Sequence, residues 1–239
     1  MKYLELTFAE PERNLACDEA LLELFETERI DDGLLRLWQP QNYFVVLGHS
    51  NRLRAEANSE ACRAAGIPIL RRMSGGGAVV QGPGCLNYSL LLDNEAHDIR
   101  NIQATFRYVL NRHRCFLGDM LFDDVRIEGV SDLALGGRKF SGNAQYRKAH
   151  YVLVHGTLLV DFDLLMIDRF LRLPEKQPQY RANRPHLEFV TNLGLDPDRI
   201  RDGLRELWRA TATFDATLPE QVDRLVSQRY GREDWSSKF

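Results

Sequence analysis

A chain of 239 residues, 44% hydrophobic and 27% charged, is long enough to bury a large core and is ordinary in composition for a globular protein. Its formal charge of −3 argues against a general nucleic-acid or anionic-membrane binder, so its local basic clusters suit a small anion better than a polyanion. No apolar run reaches the roughly 18 residues that span a membrane, Glu5 interrupts any export signal, and Cys17, Cys62, Cys85 and Cys115 form no CxxC pair, which points to free thiols in a reducing cytoplasm.

In chain order, Ala16, Ala20 and Leu24 at four-residue spacing, beside Leu21 and Phe25, predict an amphipathic helix over Asn14 to Thr27. Leu34 to Trp38 and Tyr43 to Leu47 read as strands, the second closed by Gly48. A polar, alanine-rich stretch from Arg52 to Ala65 predicts one helix ending at Gly66. Ile69-Leu70 leads into a glycine-rich turn, and Ala78 to Gln81 and Leu86 to Leu92 follow as strands. Ile99, Ile102, Phe106, Val109 and Leu110 mark the clearest helix, from about Asp98 to Phe116. Strand signals return at Val125 to Ile127, Leu133 to Leu135, Arg138 to Tyr146 and Tyr151 to Val160. Helices dominate after Asp163, including Ile200 to Ala210 and Leu218 to Ser227. The pattern predicts one α+β domain over residues 1–239, a mainly antiparallel or mixed sheet packed with helices. Its motif-bearing part covers about 1–195 and a helical tail about 196–239, with no accessory C-terminal domain expected.

The segment Arg71-Arg72-Met73-Ser74-Gly75-Gly76-Gly77-Ala78-Val79-Val80 is the most informative. Three glycines permit a tight backbone and leave amide N–H groups bare, and two guanidinium groups beside them suit a phosphate or a carboxylate. A glycine-rich hairpin turn with two surface arginines is the competing reading. A second cluster, Gly137-Arg138-Lys139-Phe140-Ser141-Gly142-Asn143-Ala144, lies about sixty residues on. No Gly-Lys-Ser/Thr, HExxH or GxSxG occurs, so a P-loop, a zinc hydrolase and a serine-elbow hydrolase lack their residues.

With Gly84-Cys85-Leu86-Asn87-Tyr88-Ser89 and His155-Gly156-Thr157-Leu158-Leu159, these two segments resemble, in order and spacing, the lipoate–protein ligase catalytic domain of the biotin/lipoate ligase superfamily. Asn14 to Leu22, Val46 to Asn51 and Val190 to Leu193 extend the resemblance over roughly residues 1–195. It implies ATP-dependent activation of lipoate or octanoate as an acyl-AMP, then transfer to a lysine of a carrier, a 2-oxoacid dehydrogenase E2 lipoyl domain or the glycine-cleavage H protein. By this resemblance Lys139 carries the catalytic charge between acyl carboxylate and α-phosphate. Arg72 and the amides of Gly77, Ala78, Val79 and Val80 would hold the nucleotide phosphates, while Ser74, Gly75 and Gly76 let the acyl-adenylate approach. Asn87, Gly142, Asn143, Ala144, His155, Gly156 and Thr157 would line the site, and Asp132 would serve the nucleotide or a Mg²⁺ ion. Tyr43, Phe44, Val79 and Tyr88 are candidate walls of an acyl tunnel, and ordinary core packing explains them equally well.

Three features depart from the family pattern. Gln81 stands where many relatives carry a histidine, which excludes a general base there. Gly129-Val130-Ser131-Asp132 replaces a Gly-Arg-Asn-Asp segment, and Phe239 leaves no length for an accessory domain, so a separate accessory subunit is one expectation. The alternatives are an octanoyl or lipoyl transferase working from acyl carrier protein, whose cysteine would fall near Ser131, and a non-catalytic lipoyl-binding partner.

Overall fold

The computed structural model describes residues 1–96, 99–215 and 218–239. Its large sheet runs in the order β11 (Ala212–Thr213), β1 (Lys2–Glu5), β2 (Leu34–Trp38), β6 (Cys85–Asp93), β10 (Tyr151–Leu159), β9 (Arg138–Arg147), β8 (Asp132–Leu135) and β7 (Val125–Glu128). The β11–β1 and β1–β2 pairs are parallel, and every later pair is antiparallel. A small second sheet has β3 (Phe44–Leu47) at its centre, parallel to β4 (Ile69–Arg71) on one side and antiparallel to β5 (Val79–Gln81) on the other. The glycine-rich segment therefore crosses over the end of β3 and is no hairpin.

Strand register sorts side chains onto two faces, because successive residues of a strand alternate. One face carries Leu35, Leu37, Leu86, Leu90 and Val154, covered by α4 (Ile102–Leu121) and α7 (Pro197–Leu207) through Phe106, Val109, Leu117, Ile200 and Leu204. The other face begins with the apolar row Leu34–Leu91–Leu153, covered by α1 (Pro11–Glu28) and α8 (Pro219–Leu225) through Leu21, Phe25 and Val222. Its next row is Arg36–Ser89–His155–Ala144, and the one after it Trp38–Asn87–Thr157–Gly142–Asp132. The face turns polar within two residues of each strand, and this polar part is where the site lies.

The predicted α+β architecture is the one found, with local differences. The single helix expected over Arg52 to Ala65 is two, α2 (Leu53–Glu56) and α3 (Ser59–Ala64). Ala57 is drawn into a bridge with Leu171, and the Asn58 side chain accepts the Ala61 N–H to cap the second helix. The clearest predicted helix starts at Ile102, after Asn101 caps it by accepting the Ala104 N–H, and runs to Leu121; Asp98 lies outside the described residues. Strands β1 and β11 escaped the sequence reading, and β11 makes the tail after residue 195 part of the sheet as well as helical. The remaining α-helices among the described residues are α5 (Leu165–Phe170), α6 (His186–Phe189) and α9 (Glu233–Ser236), and no helix among those residues is long and apolar enough to cross a membrane.

On α4, His113 is fully buried, accepts a hydrogen bond from the Trp208 indole (2.9 Å) and lies against the Tyr88 ring. Burial, helped by Arg112, pushes its pKa down to about 3. The folded protein therefore keeps His113 neutral, whereas the unfolded chain binds a proton near pH 6.5. Stability is fully present above that pH and falls as the pH drops toward 3, by up to about 1.4 kcal/mol per unit. Urea unfolding at pH 7.5 and at pH 5.0 should differ by roughly 2 kcal/mol from this residue, and His113→Gln should reduce the difference.

Candidate active site

The glycine-rich segment, Met73 to Ala78, arches over the polar rows of the sheet. Arg72 is buried with its guanidinium folded into the arch, donating to the carbonyls of Val46, Gly75 and Gly77 and to Ser74 Oγ. Burial lowers its pKa to about 10, so it stays cationic at neutral pH. Its donors serve the turn in this conformation, and a phosphate held by Arg72 would take the place of those carbonyls. Gly76, at φ +94°, is the glycine of the three whose backbone requires one. The preceding motif braces the arch: the His49 N–H donates to Ser74 O, and Arg71, fully buried, donates to the Gly48, His49 and Asn51 carbonyls.

Beneath the arch, Asp18 of α1 reaches the second row of the sheet. Its carboxylate accepts from Arg36 Nη1 (2.7 Å) and Ser89 Oγ (2.8 Å) on one oxygen and meets His155 Nδ1 (3.0 Å) on the other. His155 Nε2 lies 2.7 Å from Ser74 Oγ. Aspartate, imidazole and hydroxyl thus stand in the order of a nucleophile-activating triad, but Ser74 is wholly buried and lines neither cavity of the site. The arrangement anchors the turn to the sheet. Burial alone would push the Asp18 carboxyl up, yet the His155 hydrogen bond and the Arg36 guanidinium hold it below the usual carboxylate range. Gln81, Asn87 and Thr157 form a closed ring of hydrogen bonds in the next row, at 2.6 to 3.0 Å.

Lys139 owes its position to a β-bulge. Leu133 pairs with Ser141 and Ala134 with Lys139, so Phe140 is an extra residue in β9. Phe140 enters the core, fully buried, and Lys139 swings to the polar face. There its ammonium lies 2.7 Å from Asp132 Oδ1, and Tyr180 donates to Asp132 Oδ2 at 2.8 Å. Both oxygens of Asp132 are engaged, and among the described residues no group of three or more His, Cys, Asp or Glu could hold a metal. In this conformation the Asp132 carboxylate is the counterion of Lys139.

Two cavities meet at Lys139. The first, about 140 Å³, lies under the arch and is lined by Leu15, Trp38, Val46, Asn87, His155 and Gly156, with Tyr88 and Val79 of the expected walls. Tyr43 and Phe44 line neither cavity; Tyr43 packs edge-on against Phe162 and Phe44 belongs to the core. The second, about 450 Å³, lies on the other side of Lys139 and is lined by Val80, Arg172, Lys176, Arg181 and Phe189. Gly77, Ala78, Val79, Asp132, Gly142 and Thr157 border both. Asn143 and Ala144 border the first, although the Asn143 side chain is spent on Tyr88, Ser141 and Ser131. Sequence reasoning missed Arg36, whose place in the middle of Leu-Leu-Arg-Leu-Trp was a legible sign, and Tyr180, Arg172 and Lys176, which carried none.

Gly142 gives the Lys139 side chain its room. A Cβ at this position would lie 2.8 Å from Lys139 Nζ and 2.9 Å from its Cε. These atoms belong to a flexible side chain that can shift aside cheaply. Gly142→Ala should leave the melting temperature nearly unchanged and displace the ammonium by about 1 Å, with a loss of turnover on the order of a hundredfold. Melting curves and steady-state kinetics of one preparation would check both halves.

Lys139 thus stands between a small cavity bordered by the polar rows of the sheet and a larger one that Arg172, Lys176 and Arg181 border from the other side. Residues 10–196 match the lipoyl protein ligase A/B catalytic domain, and the chain belongs to that family of ligases and transferases. A relative from Aeropyrum pernix whose name places it with lipoate-protein ligase A is 30% identical over 233 residues, 94% of this chain and 83% of that protein. The octanoyltransferase LipM of Exiguobacterium sibiricum is 26% identical, over 96% of this chain and 95% of its own length. Among solved structures, a chain from a bi-partite lipoate protein ligase and its E2 lipoyl domain from Thermoplasma acidophilum superposes with TM-score 0.81 at 23% identity, covering 99% of this chain and 95% of that one. A lipoate-protein ligase A bound with ATP gives TM-score 0.80 at 24% identity, covering 99% and 98%. At these identities the superpositions establish the fold.

Proposed function

We propose that this chain activates lipoate, or octanoate, with ATP and transfers the acyl group to a lysine of a lipoyl-domain carrier such as a 2-oxoacid dehydrogenase E2 or the glycine-cleavage H protein. The observation that carries this reading is the placement of Lys139 where the two cavities join. The acyl chain would lie under the arch along the row from Gly142 to Trp38, three strand spacings of about 4.8 Å, or roughly 14 Å. The nucleotide would occupy the larger cavity, where Arg172, Lys176 and Arg181 offset its phosphate charge and Phe189 and Val190 supply apolar wall. An ammonium has three donors. Asp132 takes one of them, which leaves two for the anions that must meet. A carboxylate oxygen then bonds to the α-phosphorus as pyrophosphate leaves, and the carrier amine later bonds to the acyl carbonyl as AMP leaves. Both steps develop charge beside the Lys139 ammonium, where a fixed cation has its largest effect. The ATP-bound relative and the lipoyl-domain system of the Thermoplasma structure support the same assignment, and the latter's two-part ligase favours a separate accessory subunit here as well.

A thioester route from acyl carrier protein is the second reading, favoured by the octanoyltransferase relative. It needs a reactive cysteine in the site. Cys17, Cys62 and Cys85 are buried, Cys115 is exposed on α4, and none lines either cavity. Burial also pushes the Cys17 and Cys85 thiols up to about 11 and about 12, away from thiolate character. Lipoate-dependent ATP–pyrophosphate exchange tests the main reading. Exchange that requires lipoate supports it; folded protein with no exchange, alone or with its accessory subunit, removes it.

A further inference from the structure

Tyr180 belongs to none of the motifs that carry the family resemblance, yet the fold brings it to the catalytic lysine. The segment from Pro178 to Thr191 wraps the start of β9. The Thr191 N–H donates to Lys139 O at 2.9 Å, and Val190 forms a parallel bridge with Lys139. Arg184 Nη2 donates at 2.9 Å both to Gly137 O, at the turn leading into β9, and to Tyr180 O. The Tyr180 ring rests on Phe189, with centroids 5.1 Å apart. From this fixed base its hydroxyl donates to Asp132 Oδ2 at 2.8 Å, while Asp132 Oδ1 holds the Lys139 ammonium at 2.7 Å. Each carboxylate oxygen has one side-chain partner. Burial and the neighbouring carboxylate push the Tyr180 hydroxyl far above its ordinary range, so at neutral pH it is a donor.

A lysine has four rotatable bonds, and a lone aspartate partner can itself turn about its terminal torsion. One ion pair therefore fixes a distance and leaves the direction free. The second, rigidly based donor on the same carboxylate removes that freedom. We infer that Tyr180 is a positioning residue which, through Asp132, fixes the Lys139 ammonium at the junction of the two cavities. The inference rests on the reading of Lys139 as the charge between acyl and nucleotide.

Tyr180→Phe keeps the ring on Phe189 and removes only the hydroxyl. Two readouts on this variant separate the possibilities. The first is the rate at which an amine-reactive acylating reagent modifies Lys139, followed by peptide mass spectrometry with the other lysines as internal reference. Loosening the pair should raise the Lys139 rate about threefold or more and leave the others unchanged. The second is exchange kinetics, where kcat should fall about tenfold with the KM for lipoate changed less than twofold. Asp132→Asn should produce the same pattern, and the double variant should add little to either single one. Equal labelling in wild type and Tyr180→Phe overturns the inference, as does full additivity in the double variant. Faster labelling of Lys139 in a protein whose wild type shows no exchange would retain Tyr180 as the residue that positions Lys139 and remove the adenylation reading instead.

Discussion

Lys139→Ala is expected to lower lipoate-dependent ATP–pyrophosphate exchange by about a hundredfold to a thousandfold, with little change in melting temperature. The size follows from the role. Removing one preorganised donor from developing charge costs about 2.7–4 kcal/mol of transition-state stabilisation, and on the proposed reading Lys139 faces two anions at once. The small effect on stability follows from exposure: the Lys139 side chain is 26% exposed, so its pair with Asp132 is worth at most about 1 kcal/mol to the fold. Tyr180 continues to satisfy one oxygen of Asp132 in the variant. Lys139→Arg should restore little, because a planar fork in a space shaped by Gly142 and Asp132 does not reproduce a compact charge with rotatable donors. Exchange within threefold of wild type in Lys139→Ala would remove this lysine from the chemistry.

The largest expected effect on stability lies at the Arg36–Asp18 pair. The Arg36 side chain has no exposed surface and that of Asp18 is 3% exposed. Besides Asp18, Arg36 donates to the Leu6 and Asn14 carbonyls and to the Asn14 side chain, so the pair closes the junction between β2, α1 and the segment before it. Arg36→Met should destabilise by about 3–5 kcal/mol, because it leaves a buried carboxylate without its cation. For a chain of this length that is a fall of roughly 10 °C in melting temperature. Replacing both partners, Arg36→Met with Asp18→Leu, should cost less than the two single changes added together. Additive single effects would show that the two charges are not coupled.

The same pair sets a pH dependence. The Asp18 carboxyl sits below its unfolded value of about 3.9. Its contribution is therefore fully present above about pH 4 and is lost as the pH falls through the depressed folded value. Acid unfolding of wild type and Asp18→Asn should converge in that range, since protonation removes from wild type the charge that the variant lacks throughout.

Candidate site residues were legible in the sequence where they are neighbours along the chain. Ser74 to Val80 and Lys139 to Ala144 are contiguous, and the functional reading grew from them. The same holds for the strands and long helices whose apolar spacing is local, such as β6, β10 and α1. Where neighbours in space decide, the sequence misled or stayed silent. Arg52 to Ala65 has helical composition throughout, yet the bridge from Ala57 to Leu171 breaks it in two. That Asp132 is the counterion of Lys139 and accepts from Tyr180 is set by contacts no local stretch contains.

The sequence by itself marked the glycine-rich segment and Lys139 as candidates, because side-chain chemistry and hydrophobic period are properties of short segments. The tertiary structure alone decided which way they point. Strand alternation would put Lys139 and Phe140 on the faces opposite to those they occupy, and the bulge that reverses them exists only in the pairing of β8 with β9. Asp18 and Arg36 meet across a helix and a loop, and Tyr180 reaches Asp132 across 48 residues. Contacts at such separations are chosen by the packing of the whole chain, and no short stretch of it specifies them.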